Sequence, residues 1–426
     1  MPNTFDHGGN IYTVGKVETI SGHPLEVISS PTSTSVDAFG RQKVSTVFTL
    51  FDSKHRYYDN GLFATTTGGS ATTAFSSGEG LINLNVTTAS GDKIIRETEK
   101  VFSYQPGKSL LSMSSFVMNS GVANRRQRVG YFSVDNGIYF EQSGLNGVSI
   151  VKRDSITGDV RNTIINQEDW NIDPLDGTGP SAITLDLTKA QIFWSDMEWL
   201  GVGTVRAGFI INGKKIHCHS FQHANQIEST YMTTASLPIR YEIENLDTTT
   251  VTGQMKQICS TVISEGGYQL KGTSKAIGLH PSEPKDLTAT GNIYPVVSLR
   301  LKSSRPDAVV VLNHLSLAGI TNNANYRYHI ERGGTSSGGT WISAGADSSV
   351  EYNITATGYA EGENLLEGYA AGSNQGNVVV DIPQSEVFKY QLTRDSEAGT
   401  MYELTLAAEA DTAGADILTT VTWEEV

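Results

Sequence analysis

The chain has 426 residues and a formal net charge of −14. An acidic surface repels phosphate backbones, so nucleic acid is not an expected partner. The two cysteines, Cys218 and Cys259, are too few for a disulfide scaffold and are predicted to be buried thiols. No segment approaches the roughly 20 apolar residues of a membrane span, so no membrane partner is expected.

The first 36 residues are polar, contain clusters of Gly, Ser, Thr and Pro, and have no sustained hydrophobic periodicity. Such a segment buries too little apolar surface to fold by itself, and we expect an extended N-terminal arm. An arm of this kind becomes ordered when it docks on a neighbour. Whether it exchanges between subunits stays open.

From residue 37 onward, apolar and polar side chains alternate in short runs rich in Val, Ile, Thr, Tyr and Phe. A period of two predicts β-strands, and turn residues such as Asp135-Asn136-Gly137 favour hairpins over βαβ crossovers. The predicted fold class is therefore all-β, with a jelly-roll or β-sandwich main domain at 37–275 and a smaller C-terminal β-sandwich at 290–426. Residues 276–289, which include two prolines, are predicted to be a linker.

One turn fixes the strand register in the larger domain. Asn212-Gly213 between alternating apolar residues is typical of a type I′ hairpin turn. The predicted cross-strand pairs are Ile211–Lys214, Gly208–His217, Ala207–Cys218 and Arg206–His219. The preceding run, residues 191–200, should pair with this hairpin and place Asp196 or Glu198 opposite Arg206.

Strand parity gathers six side chains on the polar face of this sheet. They are Trp194, Asp196, Glu198, Arg206, His217 and His219. Paired carboxylates beside an aromatic ring suit the binding or cleavage of glycans. Residues 194–198 resemble the Glu-x-Asp-x-Glu strand of laminarinase-like jelly rolls, but Trp194 replaces the first glutamate, which that family uses as its nucleophile.

Two other uses of the same face are open. His217 and His219, together with His223, could hold a metal. Alternatively, the charges form solvated cross-strand ion pairs worth roughly 0.2–1 kcal/mol each. We expect this structural role, because exposed charges are commonly only solvated, and we predict no metal or cofactor. The loop at 173–180 could lend carboxylates to calcium but lacks the regular aspartate spacing of a calcium loop.

Longer motifs run through the larger domain at residues 37–60, 104–116, 128–141, 169–225 and 237–243. The first reads DAFGRQKVSTVFTLFDSKHRYYDN, and the third reads RVGYFSVDNGIYFE. Over roughly 37–270 the chain resembles a family of virion structural proteins of tailed bacteriophages. The smaller C-terminal domain lies outside this resemblance.

The resemblance implies a non-enzymatic structural component of the virion, capsid-associated or tail-associated, that is made in the host cytoplasm. The implied partners are other virion proteins, and exposed strand edges in such a chain favour a homo-oligomer. The family offers no catalytic residues that transfer to this chain. The alternative is a carbohydrate-binding or carbohydrate-cleaving adhesin that contacts a host-surface glycan with Trp194, Asp196 and Glu198.

Overall fold

The computed structural model describes residues 4–7, 10–13, 46–372, 377–383, 386–396 and 399–426. Nearly all of the regular structure is β, which confirms the predicted fold class. Two 3-10 helices span Gln167–Asp169 and Val387–Tyr390. The strands are β1 (Thr4–His7), β2 (Asn10–Thr13), β3 (Val47–Lys54), β4 (Phe63–Gly68), β5 (Thr72–Ser76), β6 (Leu81–Val86), β7 (Lys93–Thr98), β8 (Ser109–Val117), β9 (Arg125–Phe132), β10 (Gly137–Ser143), β11 (Val148–Asp154), β12 (Arg161–Asn166), β13 (Gln191–Met197), β14 (Val205–Ile211), β15 (Lys214–Phe221), β16 (Ile239–Asn245), β17 (Gly253–Glu265), β18 (Thr273–Gly278), β19 (Lys285–Leu287), β20 (Tyr294–Leu301), β21 (Val310–Gly319), β22 (Asn325–Arg332), β23 (Thr335–Ser337), β24 (Ile342–Ser343), β25 (Val350–Asn353), β26 (Gly358–Ala360), β27 (Glu363–Ala371), β28 (Val378–Asp381), β29 (Leu404–Ala410) and β30 (Ala415–Glu425).

The larger unit is a sandwich of two antiparallel sheets. One sheet has seven strands in the order β12-β11-β10-β9-β16-β7-β4. The other has eight strands, seven of them in the order β15-β14-β13-β8-β17-β6-β5, while β3 pairs with the C-terminal half of β17. Strands that are distant in sequence are neighbours in both sheets, such as β16 beside β9 and β17 beside β8. These long connections are those of a jelly-roll sandwich.

Apolar side chains at alternate positions of the strands fill the space between these two sheets. Ile138 and Phe140 of β10 are fully buried there, and Phe193 and Met197 of β13 face them from the other sheet. The Phe140 ring packs edge-on against Phe209, with a centroid distance of 5.1 Å. Burying a side chain of this size contributes roughly 1.5–3 kcal/mol. The apolar residues at every second position of a strand therefore determine which of its faces turns inward.

The smaller unit is a second sandwich with its own core. One sheet has the order β18-β30-β21-β28, with β19 also paired to β30, and the other has the order β24-β25-β20-β29-β22-β27. Trp423, Tyr326 and Leu406 are buried between them. The two cores are separate clusters of buried side chains, as expected for a chain of this length.

The predicted linker at 276–289 is partly strand. β18 pairs along its whole length with β30, and β19 pairs with the same strand. Leu287 of β19 is fully buried in the second core. Pro281 and Pro284 lie between these strands and leave each run too short to reveal a period of two. The smaller sandwich therefore includes β18, which the predicted boundary after residue 275 cuts.

The predicted arm at 1–36 lies outside the described residues, except for β1 and β2. These two strands form an antiparallel pair that no sequence periodicity predicted. Residues 37–45, at the start of the first motif, also lie outside the described residues. A search of the part that is described finds no helix with the length and apolar character to cross a membrane.

Candidate functional site on the eight-stranded sheet

The hairpin of β14 and β15 turns where the sequence predicts. Asn212 and Gly213 both have positive φ, at 53° and 74°, as a type I′ turn requires. Close to the turn the register is the predicted one, with the pairs Ile211↔Lys214 and Gly208↔His217. The Asn-Gly signal therefore fixed the first part of the hairpin correctly.

A β-bulge then shifts the register of β15 by one residue, and the predictions beyond it are wrong. The observed pairs are Ala207↔His219 and Arg206↔Ser220, in place of Ala207–Cys218 and Arg206–His219. Cys218 and Phe221 both reach the core, although strict alternation would put residues three apart on opposite faces. The bulge lets both side chains be buried, at the cost of turning His219 away from the polar face.

Of the two carboxylates predicted to oppose Arg206, Asp196 is the one that lies directly opposite it on the neighbouring strand. Its carboxylate accepts hydrogen bonds from the Arg206 guanidinium and the Ser109 hydroxyl, and Lys215 Nζ lies 3.9 Å away. Because a buried carboxylate without a cation costs several kcal/mol, the contacts with Arg206 and Lys215 are needed to stabilise Asp196. Its oxygens are engaged in bonds within the protein.

Trp194 is also fully buried. Its indole N–H is shared between the carbonyl oxygens of Ile216, at 3.1 Å, and Phe209, at 3.3 Å. The ammonium group of Lys215 lies 4.0 Å from the centroid of the indole ring. A sugar that stacked on this ring would have to displace the lysine, so Trp194 offers no free aromatic surface.

Glu198 follows the end of β13 and is fully buried as well. The Tyr104 hydroxyl donates to Glu198 Oε1 at 3.4 Å, and the backbone N–H of Glu198 donates to Thr204 O at 3.3 Å. Burial, and then the charge of Glu198, raises the pKa of Tyr104. The phenol therefore remains protonated and acts as a donor to the carboxylate.

The polar face that the sequence predicts to be exposed is closed. The exposed fractions are 0% for Trp194, Asp196 and Glu198, 5% for Arg206, 7% for His217 and 6% for His219. Strand parity indicates which side chains share a face, but it does not indicate how closely Lys215 and Ser109 pack over them. The ion pair predicted to be solvated is therefore buried. Removing one of its partners should lower the free energy of unfolding by more than the loss of an exposed pair would.

The histidines do not converge on a metal. His217 remains on the polar face, where its Nε2 lies 2.9 Å from Ser220 Oγ. His219 packs against the Phe221 ring, and burial lowers its pKa to about 4. Within the described ranges, no three His, Cys, Asp or Glu side chains come together as metal ligands would.

His223 lies in a separate contact at the end of β15. Its ring stacks on Tyr231, with a centroid distance of 3.9 Å. Nδ1–H donates to Gly203 O at 2.7 Å, so Nε2 is the acceptor for the Lys152 ammonium group at 3.2 Å. Burial lowers the pKa of His223 to about 4. The hydrogen bond to the Gly203 carbonyl opposes this shift, and the charge of Lys152 adds to it.

The aspartates of the loop at 173–180 serve the loop itself. Asp173 accepts hydrogen bonds from the backbone N–H groups of Leu175, at 3.0 Å, and Ser181, at 2.8 Å. Asp176 accepts from the N–H of Thr178 at 2.8 Å. The bonds to Leu175 and Thr178 are Asx-type turns, the bond to Ser181 closes the loop, and together they explain the aspartates without calcium.

The two cysteines differ in their surroundings. Cys218 is buried, as predicted, whereas Cys259 is exposed, so that prediction is wrong. Cys259 lies where the register of β17 against β8 shifts, between Gln257 and Ser260. Alternation cannot place a side chain at such an irregularity.

Sequence reasoning missed a second polar face, on the outer side of the seven-stranded sheet. Arg128 on β9 lies in register between Glu141 on β10 and Glu242 on β16, and its guanidinium donates to Glu242. Burial raises the pKa of Glu141, whereas Arg128 and Arg240 outweigh the burial of Glu242 and lower its pKa. The sequence signal for this face was a charged side chain at every second position, at Arg126 and Arg128 and at Arg240, Glu242 and Glu244. Both carboxylates are less than a tenth exposed, so this face is closed too.

No protein-family model and no curated protein matches the chain. Among solved structures, it is similar to a glycosyl hydrolase family protein from Mycobacterium fortuitum, with 9% identity, a TM-score of 0.34, and 50% of this chain and 99% of that chain covered. It is also similar to the Emp47p carbohydrate recognition domain, with 9% identity, a TM-score of 0.32, and 51% and 97% covered. The apo Crh5 transglycosylase has 12% identity and a TM-score of 0.33, with 50% and 83% covered. Likeness at this level concerns the fold alone.

The comparison corrects the expectation that the chain is not an enzyme. Glycosyl hydrolase family proteins and a transglycosylase are among the similar structures, so a non-enzymatic role does not follow from the fold. The correction removes that exclusion and assigns neither an activity nor a substrate to this chain.

Proposed function

We propose that the protein is a structural component of a tailed-bacteriophage virion, which assembles with copies of itself and with other virion proteins. The proposal is supported by the resemblance of residues 37–270 to that family. The motif at 128–141 spans most of β9 and β10, and the motif at 169–225 spans β13, β14 and β15. The resemblance therefore runs through strands of both sheets of the larger sandwich.

The observation that carries the assembly proposal is a free edge of the seven-stranded sheet. Among the described residues, β12 pairs with β11 on one side and with no strand on the other. The edge also exposes apolar side chains, with Ile164 53% and Val160 48% exposed. A free edge of this kind pairs readily with another chain.

The edge of the other sheet at β15 is different, because the chain covers it. The backbone N–H groups of Ile172 and Asp173 both donate to Cys218 O, at 3.0 and 3.1 Å. Asn171 adds side-chain bonds to the backbone of Ser220. Of these two edges, β12 is therefore the one that a second chain can extend.

Light scattering on the purified chain tests this contact. We expect the wild type to be oligomeric and Ile164→Lys to be shifted toward the monomer, because a buried lysine would face the neighbouring chain. Leu145→Lys is the matched control, since Leu145 is 75% exposed in the turn between β10 and β11. A wild type that stays monomeric at all concentrations, or an unchanged Ile164→Lys, would contradict the assembly surface.

The particle assignment has its own test. Mass spectrometry of density-purified virions, from the phage whose genome encodes this chain, should find its peptides in a fixed ratio to those of the other particle proteins. Recovery of the chain only in the soluble lysate would refute the virion role. It would leave the oligomer measurement unaffected.

An adhesin that uses Trp194, Asp196 and Glu198 gains no support from the geometry. All three side chains are fully buried, and Asp196 is bound to Arg206. Glycan binding by the wild type that is reduced by Trp194→Phe, in a variant that circular dichroism shows to be folded, would restore this alternative. The open polar surface of the same sheet lies at its other end.

A further inference from the structure

An open groove of about 450 Å³ lies at the β5 end of the eight-stranded sheet. Its walls come from the turn before β5, from β6 and the residue after it, from the segment after β8, and from the start of β17. The lining residues are Ser70, Thr72, Asn85, Val86, Thr87, Asn119, Thr252, Gly253 and Gln254. The volume falls within the range of small-ligand sites.

The lining restricts the chemistry of a ligand. None of the nine residues is charged or aromatic, and Val86 is the single aliphatic side chain among them. An ion would find no counter-charge in this groove, and a large apolar ligand would find little apolar surface. A hydroxyl oxygen can both donate and accept a hydrogen bond, and a side-chain amide donates from its nitrogen and accepts at its oxygen. The lining therefore fits an uncharged ligand with many hydroxyl groups.

A row of side chains across three strands is set in advance for such a ligand. Thr72, Asn85 and Gln254 are register partners on β5, β6 and β17, and so lie side by side on one face of the sheet. Gln254 Nε2 donates to Asn85 Oδ1 at 2.9 Å, and Asn85 Nδ2 donates to Thr72 O at 3.4 Å. This relay orients both amides. It leaves Gln254 Oε1 and one hydrogen of each amide for a ligand.

Two buried charges, Arg125 and Asp92, are bonded to the backbone of the groove walls. Arg125 is fully buried, and its guanidinium donates to Val251 O at 2.6 Å and Thr252 O at 3.1 Å. A Cβ on Gly253 would lie 2.5 Å from Arg125 Cζ, so glycine is needed for this approach. The arginine is bonded to the backbone of one wall and fixes its position, which favours a preformed site.

The opposite wall has a comparable support. The buried Asp92 carboxylate accepts hydrogen bonds from Ser70 N at 2.8 Å and from Thr87 N at 2.7 Å. It also accepts from Thr87 Oγ1 at 2.6 Å. These bonds join the turn before β5 to the end of β6. Both walls are therefore fixed by a buried charge, while the surface between them is neutral.

We propose that this groove binds a neutral oligosaccharide. Neighbouring strands lie about 4.8 Å apart, a distance comparable with the size of one sugar ring, so the row can meet successive rings of a chain. Without an aromatic platform a single site binds weakly. An oligomer that presents many copies of the site would bind the glycan with avidity. Binding by a single site does not depend on the oligomer proposed above.

A glycan array tests the proposal on the full-length chain. The array carries neutral gluco-, manno- and galacto-oligosaccharides beside sialylated and sulfated ones, and hits are measured in solution by titration calorimetry. We expect neutral oligosaccharides to bind and the acidic ones not to bind. Binding confined to acidic glycans, or no binding to any neutral oligosaccharide at millimolar concentration, would overturn the proposal.

Variants locate the binding. Gln254→Ala should weaken it at least tenfold, whereas Asn83→Ala should leave it unchanged, since Asn83 shares β6 with Asn85 but lies outside the groove. Gln254→Glu keeps the size of the side chain and removes its donors, so it should weaken binding equally even if the alanine variant folds poorly. Circular dichroism and melting curves check the fold of each variant. Wild-type affinity in Gln254→Glu would overturn the assignment to this groove.

Discussion

The two ends of the eight-stranded sheet use polar side chains in opposite ways. At the charged end, formed by β13, β14 and β15, Asp196 is fully buried and bound to Arg206. At the neutral end, formed by β5, β6 and β17, Asn85 and Gln254 line an open groove. A buried charge must be paired, so charged residues close over one another, whereas neutral amides keep spare donors and acceptors at the surface. In this sheet, Asp196 and Arg206 therefore serve the structure, whereas Asn85 and Gln254 lie at the accessible surface.

The largest effect should come from breaking the pair at the charged end. Asp196→Asn leaves the Arg206 guanidinium buried without its counter-charge, and we expect a loss of about 3–5 kcal/mol in the free energy of unfolding. Urea denaturation measures it. The double variant Asp196→Asn with Arg206→Met should regain part of the loss, because no unpaired guanidinium remains. A loss below about 1 kcal/mol would show that the charged end is solvated after all.

Trp194→Phe should cost about 2 kcal/mol, because it removes the indole N–H bond to Ile216 O and leaves a small void. The matched control is Trp341→Phe at a half-buried site, where the ring is stacked on Arg300 and the cost should be under 1 kcal/mol. Denaturant midpoints for both variants provide the comparison. Equal effects would remove the contrast between a buried and a surface tryptophan.

Acid should weaken the fold near the end of β15 through His223. Its folded-state pKa of about 4 lies below the ordinary 6.5, so between these values the unfolded chain binds more protons than the folded one. The stabilisation is complete above pH 6.5 and is lost as the pH falls toward 4. Allowing for solvent screening, the change is about 1–2 kcal/mol.

Unfolding curves between pH 4 and pH 7 measure this loss, and His223→Gln should show a shallower slope. Since His219 has a similarly lowered pKa, part of the slope should persist in His223→Gln and diminish further in the double variant with His219→Gln. An identical slope in wild type and both variants would exclude these rings as its source.

The smallest effect should come from the neutral end. Asn85→Ala removes a partly exposed amide whose bonds can be replaced by water, so we expect a loss below about 1 kcal/mol. Asn83→Ala on the same strand is the control and should behave alike. A loss of several kcal/mol in Asn85→Ala alone would mean that the row is a structural element, as at the charged end.

The sequence predicted what alternation and one turn can specify. The Asn212-Gly213 turn and a carboxylate opposite Arg206 both follow from local patterns, whereas the choice of Asp196 over Glu198 is fixed by the register in the structure. The bulge that turns His219 away depends on the three-residue spacing of Cys218 and Phe221, which alternation alone cannot resolve. The burial of the polar face depends on tertiary packing, about which strand parity gives no information.

The groove could not be predicted from local sequence patterns, for a different reason. Its row joins residues 72, 85 and 254, and the last is brought beside the others only by the pairing of β17 with β6. Such long-range pairing is not encoded in any short window of sequence. The supporting Arg125 lies in the basic stretch at 125–128, but the groups that it bonds in the groove wall are backbone carbonyls, which carry no sequence signal.

Hydrogen exchange across the eight-stranded sheet tests the difference between its ends most directly. Amides of residues 193–197 and 205–209 should exchange only through global unfolding, whereas those of residues 72–76 should exchange through local opening and become protected when a neutral oligosaccharide is added. Exchange at 193–197 as fast as at 72–76, or protection by the oligosaccharide at 193–197 instead, would contradict a closed charged end and an open neutral end.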